Sequence, residues 1–208
     1  MKIAIIGAGS VGGSLGKAWA KQGYQVVFGV RDAAADKVQT LLSEIGSNAQ
    51  AASVADAAVA ASVVVLATPW SATQEAIASC GDLTGKILID STNPLGKDGL
   101  TVGFTTSGGE QVAEWAKNAK VYKAFNQTGW ENMANPTLDN RKAVMFVCGD
   151  DEEHKPTVVK LVEEVGFEAI DAGKLSSARL LEPLALLWIK LASVYGQGRD
   201  FAFAIARR

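Results

Sequence analysis

The chain has 208 residues, 48% of them hydrophobic and 20% charged, with a formal net charge of −2. That length supports a large core in one domain spanning residues 1–208, and the charge balance, with no basic run, argues against nucleic acid and anionic membranes as partners. No apolar stretch reaches the roughly 18 residues of a membrane span, and the chain enters a core strand at residue 2, so no signal peptide is expected and the predicted compartment is the cytoplasm.

The first predicted strand, Lys2–Ile6, runs into Gly7-Ala8-Gly9-Ser10-Val11-Gly12 and then into a helical pattern over residues 10–22. Strand, glycine turn and helix together make a dinucleotide site of this spacing. Gly7 permits the tight turn, Gly9 leaves room for a pyrophosphate, and Gly12 allows close helix–strand packing. The pyrophosphate would sit at the positive end of the helix, at Ser10 and Val11. A second strand, Gln25–Phe28, ends at Gly29-Val30-Arg31-Asp32. An acidic residue at this tip would hold the ribose hydroxyls of NAD. Here Gly29 and Val30 occupy the tip and Arg31 follows, so the cofactor predicted is NADP, with Lys37 as a second positive charge. Asp32 is the rival, as an acid that would read NAD, but it reads better as the N-cap of a helix over 33–45.

A weak strand near Asn48–Ala51 precedes a helix over 53–60 and a strand Ser62–Leu66. That strand ends at Ala67-Thr68-Pro69-Trp70, before a helix over 71–79. The strand Lys86–Asp90 leads to Ser91-Thr92-Asn93-Pro94-Leu95, which opens a glycine-bearing loop over 93–107. The loop is read either as closing over a ligand or as a quiet surface segment. A helix over 109–117 and a strand Val121–Ala124 follow, then Phe125-Asn126-Gln127-Thr128-Gly129-Trp130. Ala143–Cys148 reads as a buried parallel strand. A helix over 155–165, a strand Glu168–Ile170 and a long helix over 177–205, kinked or begun at Pro183, complete the chain. This rhythm predicts an α/β fold: a doubly wound Rossmann sheet, mainly parallel, with a long C-terminal helix.

Ligands of such sheets bind beyond the carboxyl ends of the strands. Trp70 and Trp130 stand there, either as walls of a flat pocket or as core cover. Metal-ligand spacing and nucleophile–histidine arrangements are absent, and the single histidine, His154, lies in a charged helix start. Cys80 and Cys148 read as buried thiols of a reducing compartment. With no catalytic residue recognised at a strand end, carbonyl reduction is disfavoured and hydride transfer between two redox rings is favoured.

These segments resemble the NADP oxidoreductases that use the deazaflavin coenzyme F-420 and, more distantly, the NADPH-binding domains of six-transmembrane metalloreductases. The matching residues are Gly7–Gly12, Gly29-Val30-Arg31, Thr68-Pro69-Trp70, Lys123-Ala124-Phe125-Asn126, Val147–Asp151 and Asp171–Arg179. The resemblance implies NADP(H) across the glycine loop and Arg31. It also implies a nicotinamide near Thr68, Pro69 and Asn126, with a second ring stacked against it; Asn93, at a neighbouring strand end, is a further cofactor-binding candidate. Relative to archaeal members, the glycine loop is of the plain form and Asn126 replaces a histidine, which leaves F-420, FMN and FAD open as that ring. The helical extension 175–208 is expected to cover core and to form a homodimer contact. A sharper reading adds Trp188, Tyr195, Gly196 and Gln197 as walls of the second-ring pocket.

Two other functions fit the sequence. One is a small ketoacid or hydroxyacid dehydrogenase, for which Lys190 is a catalytic candidate although Val194 stands where a partner asparagine belongs. The other is a non-catalytic NADPH-binding sensor.

Overall fold

Short aliphatic runs bounded by glycines and small polar residues build the sheet. The computed structural model describes all 208 residues. Eight strands form one sheet: β1 Lys2–Ile6, β2 Gln25–Gly29, β3 Ala49–Ala52, β4 Val63–Leu66, β5 Ile87–Asp90, β6 Lys120–Lys123, β7 Val144–Gly149 and β8 Glu168–Asp171. Their spatial order is β8-β7-β6-β5-β4-β1-β2-β3. β1 pairs in parallel with both β2 and β4, Ile3 lying opposite Val26 and Val63. Eight helices surround the sheet: α1 Ser10–Lys21, α2 Asp36–Ile45, α3 Val54–Ala60, α4 Trp70–Ser79, α5 Gly108–Trp115, α6 Trp130–Ala134, α7 Lys155–Val165 and α8 Ala178–Ser193.

The pleat divides the core in two. Ile3 and Ile5 face a cluster with Leu15 and Trp19 of α1, Leu41 of α2, Met133 of α6 and Leu161 of α7. Ala4 and Ile6 face the other way, toward Ala57 of α3, Ile77 of α4, Val112 of α5 and Leu181 of α8. Alternate residues of one strand thus feed opposite layers, the signature of a sheet covered on both faces. The doubly wound architecture stands as expected, and the strand expected near Asn48–Ala51 forms as Ala49–Ala52: β3 pairs with β2 and forms one edge.

Three expectations are corrected. β7 runs antiparallel to β6, with Cys148 opposite Lys123 and Gly149 opposite Tyr122, and parallel only to β8. A parallel return needs a crossover of a dozen or more residues, usually a helix. Residues 124–143 hold only the five-residue α6 and a small hairpin, Thr137–Leu138 with Arg141–Lys142, so the chain comes back the other way. Asp32 does not cap α2. The helix starts at Asp36, and the Asp32 carboxylate accepts from the Ala34 N–H at 2.9 Å in a turn of its own.

The C-terminal helix stops at Ser193 rather than near 205. Gly196 and Gly198 adopt left-handed φ of +74° and +71°, and the tail turns back over the protein. The Phe201 carbonyl accepts from the Trp188 indole N–H (3.0 Å) and from the Asn132 amide (2.7 Å). The Phe201 ring stacks on Trp188 at 5.3 Å, and the Phe203 carbonyl accepts from Val144 N–H at the start of β7.

Candidate functional site

The carboxyl ends of β1, β2, β4, β5 and β6 share one edge of the sheet, because these strands are mutually parallel. The glycine loop lies at its centre. Gly7 has φ +108°, and a Cβ there would stand 2.5 Å from the Ala67 carbonyl oxygen. A Cβ on Gly12 would stand 2.2 Å from the Gly7 oxygen. Both positions therefore exclude any side chain. Gly9 differs: nothing lies within 4 Å of its would-be Cβ, so it faces open space. Gly9 caps α1 without a side-chain hydrogen bond, and the first turn carries no acidic residue. The N–H groups opening α1 at Ser10 and Val11 thus form an uncapped positive helix end beside an open cradle, the geometry that accepts a phosphate.

Val30 is half-buried at the tip of β2, its N–H held by the Ala52 carbonyl at 3.0 Å. Arg31 and Lys37 are exposed. Neither takes part in the molecule's ion pairs. Beyond β4, the Thr73 hydroxyl donates to the Pro69 carbonyl at 3.1 Å. Thr68 therefore donates to Thr73 (3.0 Å) and keeps its acceptor capacity free. Pro69 is exposed as the N-cap of α4.

At the tips of β5 and β6, two asparagines interlock. Asn93 Nδ2 donates to the Asn126 carbonyl at 2.8 Å, and Asn126 Nδ2 donates to Asn93 Oδ1 at 3.0 Å. Asn126 also donates to the Leu181 carbonyl (3.2 Å) and accepts from Gln127 (2.8 Å), so its carboxamide is fully committed and buried. Gln127 in turn exchanges two hydrogen bonds with the Phe146 backbone, standing in for a strand partner where β6 and β7 diverge. Asn93 is half-buried and has one amide hydrogen left.

Beneath this pair lies a constellation that the strand reading passed over. Asp90 ends β5 and Lys123 ends β6, yet both are 0% exposed. Lys123 Nζ donates to Asp90 Oδ2 (2.7 Å), to Glu182 Oε1 of α8 (2.8 Å) and to the Thr92 carbonyl (2.9 Å). Burial pulls the Lys123 pKa down, but the two carboxylates outweigh it and hold the ammonium above its ordinary value. The signal was present in the sequence: each charge closes an apolar run, Ile87-Leu88-Ile89-Asp90 and Val121-Tyr122-Lys123, whose strand is buried on both faces.

With this geometry in view, comparisons with known proteins are specific. The sequence model for "NADP oxidoreductase coenzyme F420-dependent" matches residues 2–94. The F420-dependent NADP reductase of Methanothermobacter thermautotrophicus is 32% identical over 210 residues, covering 92% of this chain and 89% of that protein. The chain belongs to the F420-dependent NADP oxidoreductase family. It is accordingly an NADP-dependent oxidoreductase. A crystal structure from Arthrobacter sp. FB24, assigned as an F420-dependent NADP reductase, superposes with a TM-score of 0.90 at 33% identity over the whole of both chains. Metalloreductase STEAP3 of Rattus norvegicus is 33% identical over 190 residues, 89% of this chain and 37% of its own length. No helix of this family member is long and apolar enough to cross a membrane.

The remaining predicted positions separate. Trp70 of this F420-dependent NADP oxidoreductase family member packs at a tilt against Trp115 of α5, ring centroids 5.2 Å apart, so it joins two helices as core cover. Trp130 is 41% exposed at the start of α6. Trp188 is only 2% exposed, sealed beneath Phe201 and with the Arg199 guanidinium 5.3 Å from its ring. It therefore presents no free face to a second ring, contrary to expectation. Tyr195, Gly196 and Gln197 are exposed beyond the end of α8. Lys190 is exposed too, without the enclosed surroundings a catalytic lysine needs. His154 joins Asp151, Lys120 and Tyr122 at the far end of β6, away from the glycine loop. Burial pushes the Cys148 thiol up to about 12 and that of Cys80 up to about 11.

Proposed function

We propose that this family member moves a hydride between NADP(H) and the deazaflavin F420. One observation carries the reading. The charged groups at the strand tips, Asp90 and Lys123, are wholly buried and satisfy each other, so neither is free to pass a proton to a carbonyl substrate. Transfer between two redox rings needs no such donor, and bound NADPH supplies the hydride itself.

The protein's part is to bind, orient and align. Gly7, Gly9 and Gly12 with the N–H groups of Ser10 and Val11 would seat the pyrophosphate. Arg31, backed by Lys37, would fork onto the ribose phosphate, with Val30 beside it at the strand tip. Thr68, Pro69 and Asn93 would face the nicotinamide end, with Asn126 locking Asn93 from behind. Trp70 and Trp188 support the walls from within, while exposed Tyr195, Gly196 and Gln197 border the second ring. FMN or FAD is the alternative second ring.

Anaerobic NADPH oxidation with F420, FMN and FAD offered in parallel, and NADH as control, tests the reading. Turnover is expected with F420 and NADPH. Turnover with FMN or FAD alone would overturn the deazaflavin assignment in favour of a flavin reductase. Saturable NADPH binding without turnover would favour a sensor.

A further inference from the structure

We propose that Lys123 is a positioning residue for the nicotinamide end of the cofactor, acting through Asp90, Thr92 and Glu182 on the loops that carry Asn93 and Asn126. The inference rests on the NADP(H) reading above and goes beyond it by assigning a role to a group that touches no ligand.

One ammonium is the common reference for everything on that side of the site. Lys123 spends its three hydrogens on Asp90, Glu182 and the Thr92 carbonyl. The other Asp90 oxygen accepts from the Thr92 N–H (2.9 Å) and hydroxyl (2.7 Å), which shapes the turn leading directly into Asn93. Glu182 accepts from the N–H groups of Gly108 and Gly109, each at 2.9 Å, at the start of α5. The segment 93–107 is thus anchored at both ends by the same buried cluster. Asn126, three residues beyond Lys123, bonds to Asn93 and to the carbonyl of Leu181, the residue before Glu182. Strand tip, loop and helix meet at a single point charge.

Stability alone does not account for this arrangement. Three charges are taken out of water here, and well-packed apolar side chains of the same volume commonly serve stability as well or better. What apolar groups cannot supply is direction. Three donors in fixed geometry hold three acceptors from different elements in one relative placement, with the hydrogen-bond specificity that a charge-assisted contact gives. Glu182 adds to this by meeting the positive end of α5, which offsets the cluster's excess negative charge.

Direct binding measurements on Lys123→Met and Glu182→Gln test the proposal. The probes are NADPH and 2′,5′-ADP, which carries the adenosine and phosphate end only. In both variants 2′,5′-ADP should bind as in the wild type, while NADPH should lose about tenfold in affinity, equivalent to about 1.4 kcal/mol. The fluorescence of bound NADPH should shift toward that of the free cofactor. Turnover should fall by about a hundredfold, as misplacement of reacting groups produces. Glu182→Gln keeps the shape and removes one charge, so it serves where Lys123→Met fails to fold. Unchanged NADPH binding in a folded variant, or equal loss of both probes, would overturn the positioning role. Failure of the wild type to bind NADPH would instead overturn the cofactor reading, and is seen before any variant is made.

Discussion

Arg31 stands exposed one residue past Val30, with no carboxylate paired to it. Its guanidinium is the feature that would separate NADPH from NADH, which differ by one phosphate. Arg31→Glu is expected to weaken NADPH binding by about a hundredfold, the loss of a charge-assisted fork plus a new repulsion, and to leave NADH binding nearly unchanged. Titration of both nucleotides checks this, and an equal loss of both would remove Arg31 from the phosphate site. The buried cysteines make a second residue-scale test. With thiols held near 11 and 12 by burial, Cys80 and Cys148 should not react with a thiol reagent at neutral pH in the folded protein, and both should react in denaturant. The glycine positions were legible because their spacing is local and, at Gly7 and Gly12, their steric demand is absolute. Asp90 and Lys123 escaped notice because nothing next to them in sequence shows that they meet.

At the scale of elements, α8 and the tail behave differently from a single long helix. The expected helix forms as far as Ser193, and its inner face, Leu181, Ala185, Trp188 and Ala192, is buried. Beyond it, the two left-handed glycines let residues 199–203 dock along Trp188, Asn132 and Val144. Phe201→Ala removes a stacked aromatic pair and part of the cover over Trp188, which should cost about 2 kcal/mol and lower the melting temperature by about 4–8 °C. An unchanged melting temperature would mean the tail is not docked in solution. The outer face of α8 exposes Leu180, Leu187 and Val194 at seven-residue intervals. This is the surface we propose for a homodimer. Light scattering should read two copies for the wild type and one for Leu187→Glu, and a monomeric wild type would refute it.

For the molecule as a whole, the late elements are clasped to earlier helices by arginine–carboxylate pairs. Arg179 of α8 forks onto Glu110 of α5 (2.9 and 2.6 Å), and Arg199 of the tail forks onto Glu131 of α6. Hydrogen bonds from these arginines hold both carboxyls below the usual range. A depressed folded pKa means that the contribution is complete above the unfolded value of about 4.3 and is lost as pH falls through the folded one. The wild type should therefore lose stability on acidification below about pH 4.3, and the double variant Glu110→Gln/Glu131→Gln should lose less over the same interval. Denaturant titrations at several pH values, read by circular dichroism, check this. Identical pH dependence in the two proteins would show that other carboxylates govern acid unfolding.

Periodicity and glycine spacing are properties of contiguous residues, and from them alone the strand–turn–helix unit and a mainly parallel, doubly wound sheet followed. The tertiary structure alone decided the direction of β7, the turn-back of the tail over Trp188, and the meeting of Asp90, Lys123 and Glu182. The reason is the same in each case. A buried strand has the same apolar pattern whichever way its neighbour runs, and a charge in a core is tolerated only by partners that the chain brings from far along its length: Asp90 lies 33 residues from Lys123, and the Glu182 contacts with Gly108 and Gly109 span 74 and 73.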